Sequence, residues 1–334
     1  ADLPETSCRY KVSRLLGRGG QGDVYLARHP SLDIEVAVKV LHPEYRTEEF
    51  IERFSNEARI SARLDVRNIV RVYDFDPEHP YLVLEYCPDG DLSRYIKSRR
   101  RRPLSELLGI VKQVLEGLVA AHENKPSILH RDLKPSNVLF SKGVPKVADF
   151  GLAKALGAAS GLTTTRGMMG TIRYCSPEQM KDASAADART DLWSMGIILY
   201  EILAWKRPFD KPGDSDSNVM FKVHMEPPRE PPFEIPGPLM SVINRALEKD
   251  REKRFPSARE MIAAISEAER RIPNADKLML PPEKVVDDVS RMAMEVSTLF
   301  EQGEAEAAET IINSMRKLAP EDSVGRFWRA SKVR

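Results

Sequence analysis

Apolar and polar positions divide the chain into a strand-rich opening, a helix-rich middle and a helical end. Residues 10–16 and 24–28 flank a glycine-rich turn, 35–41 alternates into the apolar run Val36-Ala37-Val38-Lys39-Val40, and 69–75 and 80–86 are two more short apolar segments, which predicts five strands. Residues 48–64 gather their apolar side chains on one helical face, and Asp76-Pro77-Glu78-His79-Pro80 marks the turn between the last two strands. Helical periodicity takes over at 91–100 and 104–124, and a short hairpin is expected from 138–140 and 144–148. Residues 152–175 hold no strong period and are rich in Gly, Ala, Ser and Thr, so they predict a mobile segment. The apolar run 195–205 predicts a buried helix. Six prolines between Pro227 and Pro238 predict an irregular stretch, and 257–270 a further helix.

The prolines of 271–283 suggest a linker. Beyond it, 285–300 and 304–318 are amphipathic and meet at Gln302-Gly303, which predicts a helical hairpin closed by Ala319-Pro320. Gly303, Ala308 and Pro320 fall on the turn, small and closing positions of a tetratricopeptide repeat, and Phe327-Trp328 has the look of a second repeat beginning. A generic hairpin packed on the preceding domain fits equally well, because one repeat cannot bury its own apolar face.

Length and composition narrow the classes. At 334 residues the chain exceeds what one hydrophobic core normally holds, so two or three folding units are expected. Charged residues make up 30% and the net charge is +1, so no global field draws the chain to nucleic acid or to a membrane. The run Arg99-Arg100-Arg101-Arg102 is short enough to be a solvated helix end. The stretch 195–205 is interrupted by Glu201 and falls short of the roughly 20 residues a membrane span needs. Cys8, Cys87 and Cys175 are scattered without metal-ligand spacing, which suits a reducing compartment. The opening Ala1-Asp2-Leu3-Pro4 carries neither an initiating Met nor a signal-peptide pattern, so the expectation is a cytoplasmic chain, or the cytoplasmic part of a longer protein.

Chemistry concentrates in a few motifs. Gly17-Arg18-Gly19-Gly20-Gln21-Gly22-Asp23-Val24 matches G-x-G-x-x-G-x-V and joins two predicted strands, where a bare backbone can fold over phosphates and offer them its amides. Lys39 lies inside an apolar strand, where an ammonium needs a partner. The octet His130-Arg131-Asp132-Leu133-Lys134-Pro135-Ser136-Asn137 sets an acid, a base and an amide at fixed offsets. Asp149-Phe150-Gly151 follows seventeen residues after Asp132, and Ser176-Pro177-Glu178 closes the segment without period.

Together these motifs resemble the eukaryotic-type (Hanks-type) protein serine/threonine kinases, with Lys134 pointing to the serine/threonine branch and Ser176 to bacterial members. The resemblance covers about residues 10–270. It implies an α+β, bilobal protein kinase fold: a small five-stranded β lobe with one helix over 10–87 and a large, mainly α lobe over 88–270. The linker 271–283 and a C-terminal α-helical hairpin over 284–334 would follow.

The resemblance also implies roles. Asp132 accepts the proton of a substrate hydroxyl, and Lys134 neutralises charge on the transferred group. Lys39, braced by Glu57, grips the phosphates of ATP, while Asn137 and Asp149 hold Mg2+, with Mn2+ an alternative ion. Without the resemblance, Glu57 is one more solvated acid beside Glu48, Glu49 and Glu52. Leu16, Gly17, Gly19, Gly22, Val24, Ala37, Leu84, Glu85, Cys87 and Leu139 fall on nucleotide-site positions, with Leu84 as gatekeeper and the hinge backbone facing adenine.

Thr163, Thr164 and Thr165 are candidate phosphorylation sites that Arg131 would bind, against the plainer reading of a polar loop. Thr171 matches the Thr that bonds with Asp132 and Lys134. Asp191 is expected to cap the catalytic loop, and Arg254 to pair with Glu178. Partners would be proteins bearing Ser or Thr, and a protein at the helical tail. The competing reading is a catalytically silent kinase-fold scaffold that presents this tail, although such chains usually lose one of Lys39, Asp132 or Asp149, all retained here.

Overall fold

The computed structural model describes residues 9–20, 22–150, 172–211, 213–281 and 305–318, with single positions between 292 and 299. The smaller lobe is one antiparallel sheet of β1 (Lys11–Arg18), β2 (Gly22–Arg28), β3 (Glu35–Leu41), β4 (Val72–Asp76) and β5 (Tyr81–Glu85), in the order β1-β2-β3-β5-β4. Strand β3 is central because both of its faces find apolar cover. Val36 and Val38 pack with Tyr10, Ala27, Tyr81 and Val83 on one side. On the other, Leu41 and Leu82 meet Phe50, Phe54 and Ala58 of α1 (Glu48–Ala62). Fully burying side chains of this size is worth about 1.5–3 kcal/mol each. The alternation of β3 therefore puts Ala37, Lys39 and Leu41 on one face.

The larger lobe is mainly helical: α2 (Leu92–Lys97), α3 (Leu104–His122), α4 (Pro177–Lys181), α5 (Ala188–Ala204), α6 (Asp216–Met225), α7 (Gly237–Ala246) and α8 (Ala258–Arg270). Helix α5 is apolar nearly all round and buried from Thr190 to Tyr200, as a helix at the centre of a lobe must be. It starts at the Asp187 cap, which accepts from Arg189 N–H, and stops at Trp205, whose φ of 56° is left-handed. Ser176, Ser215 and Ser257 cap α4, α6 and α8 through their hydroxyl oxygens. Strands β7 (Val138–Ser141) and β8 (Val144–Val147) form the expected hairpin. The lobes are stapled where Val70 N–H donates to Val147 O at 2.9 Å and Val147 N–H to Asn68 O at 2.8 Å.

Two stretches differ from the sequence expectation. Residues 271–281 lie against the larger lobe instead of leaving it: Ile272 and Leu280 are buried, and β9 (Met279–Leu280) pairs with β6 (Arg102–Pro103). The arginine run is the other half of this strap. Arg101 Nε donates to Pro281 O at 3.2 Å, and Arg102 lies 4.1 Å over the Tyr95 ring and bonds Glu106 at 2.7 Å. Aliphatic stems and a planar guanidinium suit such half-buried places as well as water does. In the tail, α9 (Ala305–Leu318) buries Ala308 and Ile312 with Val296. Gly303, Pro320 and Phe327-Trp328 lie outside the described residues.

Candidate active site

The glycine-rich turn links β1 and β2, where Gly19 N–H donates to Gly22 O at 3.0 Å. Gly22 runs so close to β3 that a Cβ there would collide with the Val40 carbonyl, whereas one at Gly17 would meet nothing within 4 Å. Gln21 lies outside the described residues.

Lys39 is 8% exposed, and its Nζ reaches Asp149 Oδ1 at 2.9 Å. For Asp149, burial opposes ionisation, but the charge and hydrogen bond of Lys39 outweigh it and hold the carboxyl below its ordinary range. Helix α1 carries Glu57, whose side chain lies outside the described part of the structure. Ser61, one turn further along α1, donates its hydroxyl to Phe150 O at 3.2 Å.

The octet 130–137 is held from below by Asp191. This buried carboxylate accepts from His130 N–H at 2.9 Å and Arg131 N–H at 2.8 Å, and contacts His122 Nε2 at 2.7 Å. Burial again works against its charge, and His122 with the surrounding donors prevails, so its carboxyl is lowered. Arg131 takes a left-handed φ of 65°, and Gln179 Nε2 bonds its carbonyl at 2.6 Å. The His130 ring spans two motifs: Nδ1 accepts from Asp132 N–H at 3.2 Å, and Nε2 meets Ala148 O at 2.8 Å.

Lys134 Nζ donates to Asp132 Oδ2 at 2.8 Å, and Asn137 Nδ2 donates to the Asp132 carbonyl at 2.8 Å. Asp132 Oδ1 is buried and has no hydrogen-bond partner among the described residues. An unpaired buried carboxylate oxygen is costly unless a donor arrives. Ala148 N–H bonds Asn137 O at 2.8 Å, which sets the Asn137 and Asp149 positions side by side. An amide oxygen and an ionised carboxylate are hard donors. Two of them suit Mg2+, which keeps several waters and takes its remaining ligands from phosphates.

Around the cleft, Ala37 faces Leu84 in the β3–β5 register, and Leu139 forms a bridge with Asp91. Leu16, Val24, Leu84 and Leu139 are half-buried, as walls of an open cleft would be. Glu85 uses its side chain away from any nucleotide: Oε2 pairs with Lys146 Nζ at 3.0 Å and accepts from Arg71 N–H at 3.3 Å. Burial, aided by the Glu85 charge, pushes the Cys87 thiol up to about 12, which keeps it protonated and inert. At the far end, Arg254 Nη1 and Nη2 reach the two Glu178 oxygens at 2.7 and 2.8 Å. Thr163, Thr164, Thr165, Thr171 and Gly151 lie outside the described residues.

Motif reading passed over Ser61, His122, Lys146 and Gln179. A signal existed for Ser61, a hydroxyl following Phe50, Phe54 and Ala58 along the apolar face of α1. The other three act through long-range contacts that no local pattern announces.

A β lobe stapled to a helical lobe, with the glycine turn, the strand lysine and a lysine-supported aspartate facing the cleft between them, defines the protein kinase fold. The comparisons agree: the family model for the protein kinase domain matches residues 10–264, and the chain belongs to that family. The chain is 37% identical over 269 residues to the serine/threonine-protein kinase PrkC of Bacillus subtilis, covering 78% of this chain and 41% of that protein. It is 36% identical over 266 residues to the serine/threonine-protein kinases PknA of Corynebacterium glutamicum, covering 77% of this chain and 55% of the relative. Identity to the serine/threonine-protein kinase PknB of Mycobacterium leprae is 34% over 337 residues, 97% of this chain and 52% of that one. The chain thus spans about half the length of these curated relatives. All three of these relatives are bacterial serine/threonine kinases.

Proposed function

We propose that the chain is an active protein kinase that transfers the γ-phosphoryl group of ATP to Ser or Thr hydroxyls of protein substrates. The observation that carries the reading is Asp132: one carboxylate oxygen is held by Lys134 and the other is buried without a partner among the described residues. A substrate hydroxyl donating to the exposed side of the Asp132 carboxylate would be aimed at the phosphate, while buried Oδ1 keeps the group fixed. General-base assistance of this kind is worth roughly 10²–10⁴ in rate.

Lys39, with Glu57 on α1, would hold the phosphates, and the turn Gly17–Gly22 would cover them with backbone amides. Lys134 stays beside Asp132 to offset charge on the group in transit. Asn137 and Asp149 would hold the magnesium ion, which when bound neutralises phosphate charge and draws the terminal phosphates into line. Leu16, Val24, Ala37, Leu84 and Leu139 would sandwich the base, with the backbone of Glu85 and Cys87 bonding its edge.

The domain plan we adopt is a small lobe over 10–87, a large lobe over 88–270 and a tail that presents a helical hairpin to a partner protein. Thr163, Thr164 and Thr165 are proposed sites of activating phosphorylation, with Arg131 as the receiving cation and Thr171 supporting Asp132. Cytoplasmic action follows from this substrate class, since ATP is the donor.

The test is phosphate transfer from labelled ATP with Mg2+ to a basic acceptor protein, comparing the chain with Asp132→Asn. Transfer that falls at least a hundredfold in the variant supports the reading. Bound ATP with no transfer from either protein would favour a silent scaffold.

A further inference from the structure

Alternation gives the glycine-rich turn a front and a back. In the β2–β3 register Val24 lies opposite Lys39 and Asp23 opposite Val40, so Val24 shares the cleft side with Lys39 and Asp23 takes the outer face of the sheet. A histidine meets the Asp23 carboxylate there. His42 Nε2 lies 3.2 Å from Asp23 Oδ1, and because a carboxylate oxygen accepts, the imidazole is the donor. Glu44 Oε1 stands 3.9 Å from the other ring nitrogen, too far for a hydrogen bond. Both partners are more buried than exposed, with 31% of the His42 side chain and 23% of the Asp23 side chain accessible.

The ring is presented from a braced corner. His42 follows β3 with an extended backbone and precedes a single tight turn, Pro43–Tyr45. Arg46 clamps Leu41 O through Nε at 3.0 Å and Nη2 at 2.8 Å, Tyr45 N–H bonds His42 O at 3.0 Å, and the Tyr45 ring lies 5.3 Å from Phe50 on α1. The glycine-rich turn has less to hold it. Between Gly17 and Gly22 the only side chains are those of Arg18 and Gln21, and the bond across the turn is Gly19 N–H to Gly22 O. Glycine loses more conformational freedom on ordering than any other residue, so a turn of this composition needs anchors outside itself. Gly22 supplies one through its close approach to Val40, and Asp23, the next residue, supplies another through His42.

We propose that His42 is a positioning residue for nucleotide binding: its imidazole fastens Asp23 from behind the sheet, pins the exit of the glycine-rich turn to the end of β3, and keeps the turn's amides aimed at the phosphates. The inference rests on the turn covering the phosphates of ATP, as set out under the proposed function. His42 sits on the face away from the cleft, so it acts on the nucleotide only through the turn. A turn already fixed at its exit has less ordering left to undergo when phosphates arrive, and that difference appears as affinity.

The experiment measures the affinities of ATP and of adenosine, each with Mg2+, by titration calorimetry on the full chain and on His42→Ala, His42→Gln and Asp23→Ala. A partly exposed contact of this kind is worth roughly a two- to fivefold factor, so His42→Ala should bind ATP about threefold more weakly. Adenosine offers the turn no phosphate, and its affinity should not change, which separates an effect on the turn from damage to the lobe. His42→Gln places an amide donor near the position of Nε2 and should recover the ATP affinity of the parent. Asp23→Ala should match His42→Ala, and the double variant should be no weaker than either single one, because both remove the same contact. Unchanged ATP affinity in His42→Ala, equal loss of ATP and adenosine, no recovery in His42→Gln, or additive losses in the double variant overturns the inference while leaving the role of the turn standing. A parent chain that binds no ATP removes the nucleotide reading itself, and this inference with it.

Discussion

Arg254 is completely buried and grips both carboxylate oxygens of Glu178, across 76 positions of sequence, at 2.7 and 2.8 Å. The remaining donors are used as well: Nε bonds Glu248 O at 2.7 Å, Nη2 bonds Lys249 O at 3.2 Å, and the guanidinium lies 4.8 Å over the Trp193 ring. Thr190 Oγ1 adds a third bond to Glu178 at 3.1 Å. A buried pair of this kind is satisfied as a unit and costly when halved. It anchors α4 at the foot of the segment that begins at Asp149, and through Gln179 it also reaches the Arg131 carbonyl.

Arg254→Met should therefore destabilise the larger lobe by about 3–5 kcal/mol, because Glu178 is left charged and largely buried. Adding Glu178→Leu should recover much of that loss. Equilibrium urea unfolding of the parent, single and double variants measures both, and additive losses would argue against a coupled pair.

Acid stability follows from the same carboxylates. Glu178 is largely buried and Asp191 fully so, which alone would raise them, yet Arg254 in one case and His122 with its fellow donors in the other leave both lowered. A lowered folded pKa means the unfolded chain binds protons first. The stability they contribute is thus complete above the ordinary carboxylate value of about 4 and is lost as the pH falls through their lower folded values. The urea midpoint should be flat with respect to these two groups near neutrality and fall below about pH 4. Arg254→Met should show a shallower acid decline, since it removes one cause.

The glycines of the glycine-rich turn should separate by structure. Gly22→Ala places a methyl against the Val40 carbonyl and should push β2 from β3, whereas Gly17→Ala meets open space. The first should lower the melting temperature and weaken ATP binding; the second should leave the melting temperature near that of the parent. Thermal melts with and without nucleotide distinguish fold from site.

Leu280 tests the strap. It is 2% exposed in the large-lobe core, so Leu280→Ala should cost about 2–4 kcal/mol in urea unfolding. A free linker at 271–281 would show no change.

Much of the molecule was legible in one dimension. Short apolar segments bounded by turn residues marked all five strands of the small lobe, helical periodicity marked α1 and α3, and an apolar run marked α5, because each pattern depends on neighbours within a few residues. The same locality let the motifs name Lys39, Asp132, Lys134, Asn137 and Asp149 in order. The strap was not legible: prolines announced a linker, and only the apolar surface at Leu280 and a two-residue ladder with β6 turned it back onto the lobe.

The sequence by itself determined which chemical groups the chain carries, their order, and the family they define. Tertiary structure alone decided who holds whom. Lys39 finds Asp149 across 110 positions, Ser61 finds Phe150 across 89, and Asp191 finds His122 across 69. Such pairs depend on how two lobes and a central helix pack. A buried charge or hydroxyl takes its partner from whatever that packing brings within 3 Å or so, and no local period encodes the meeting.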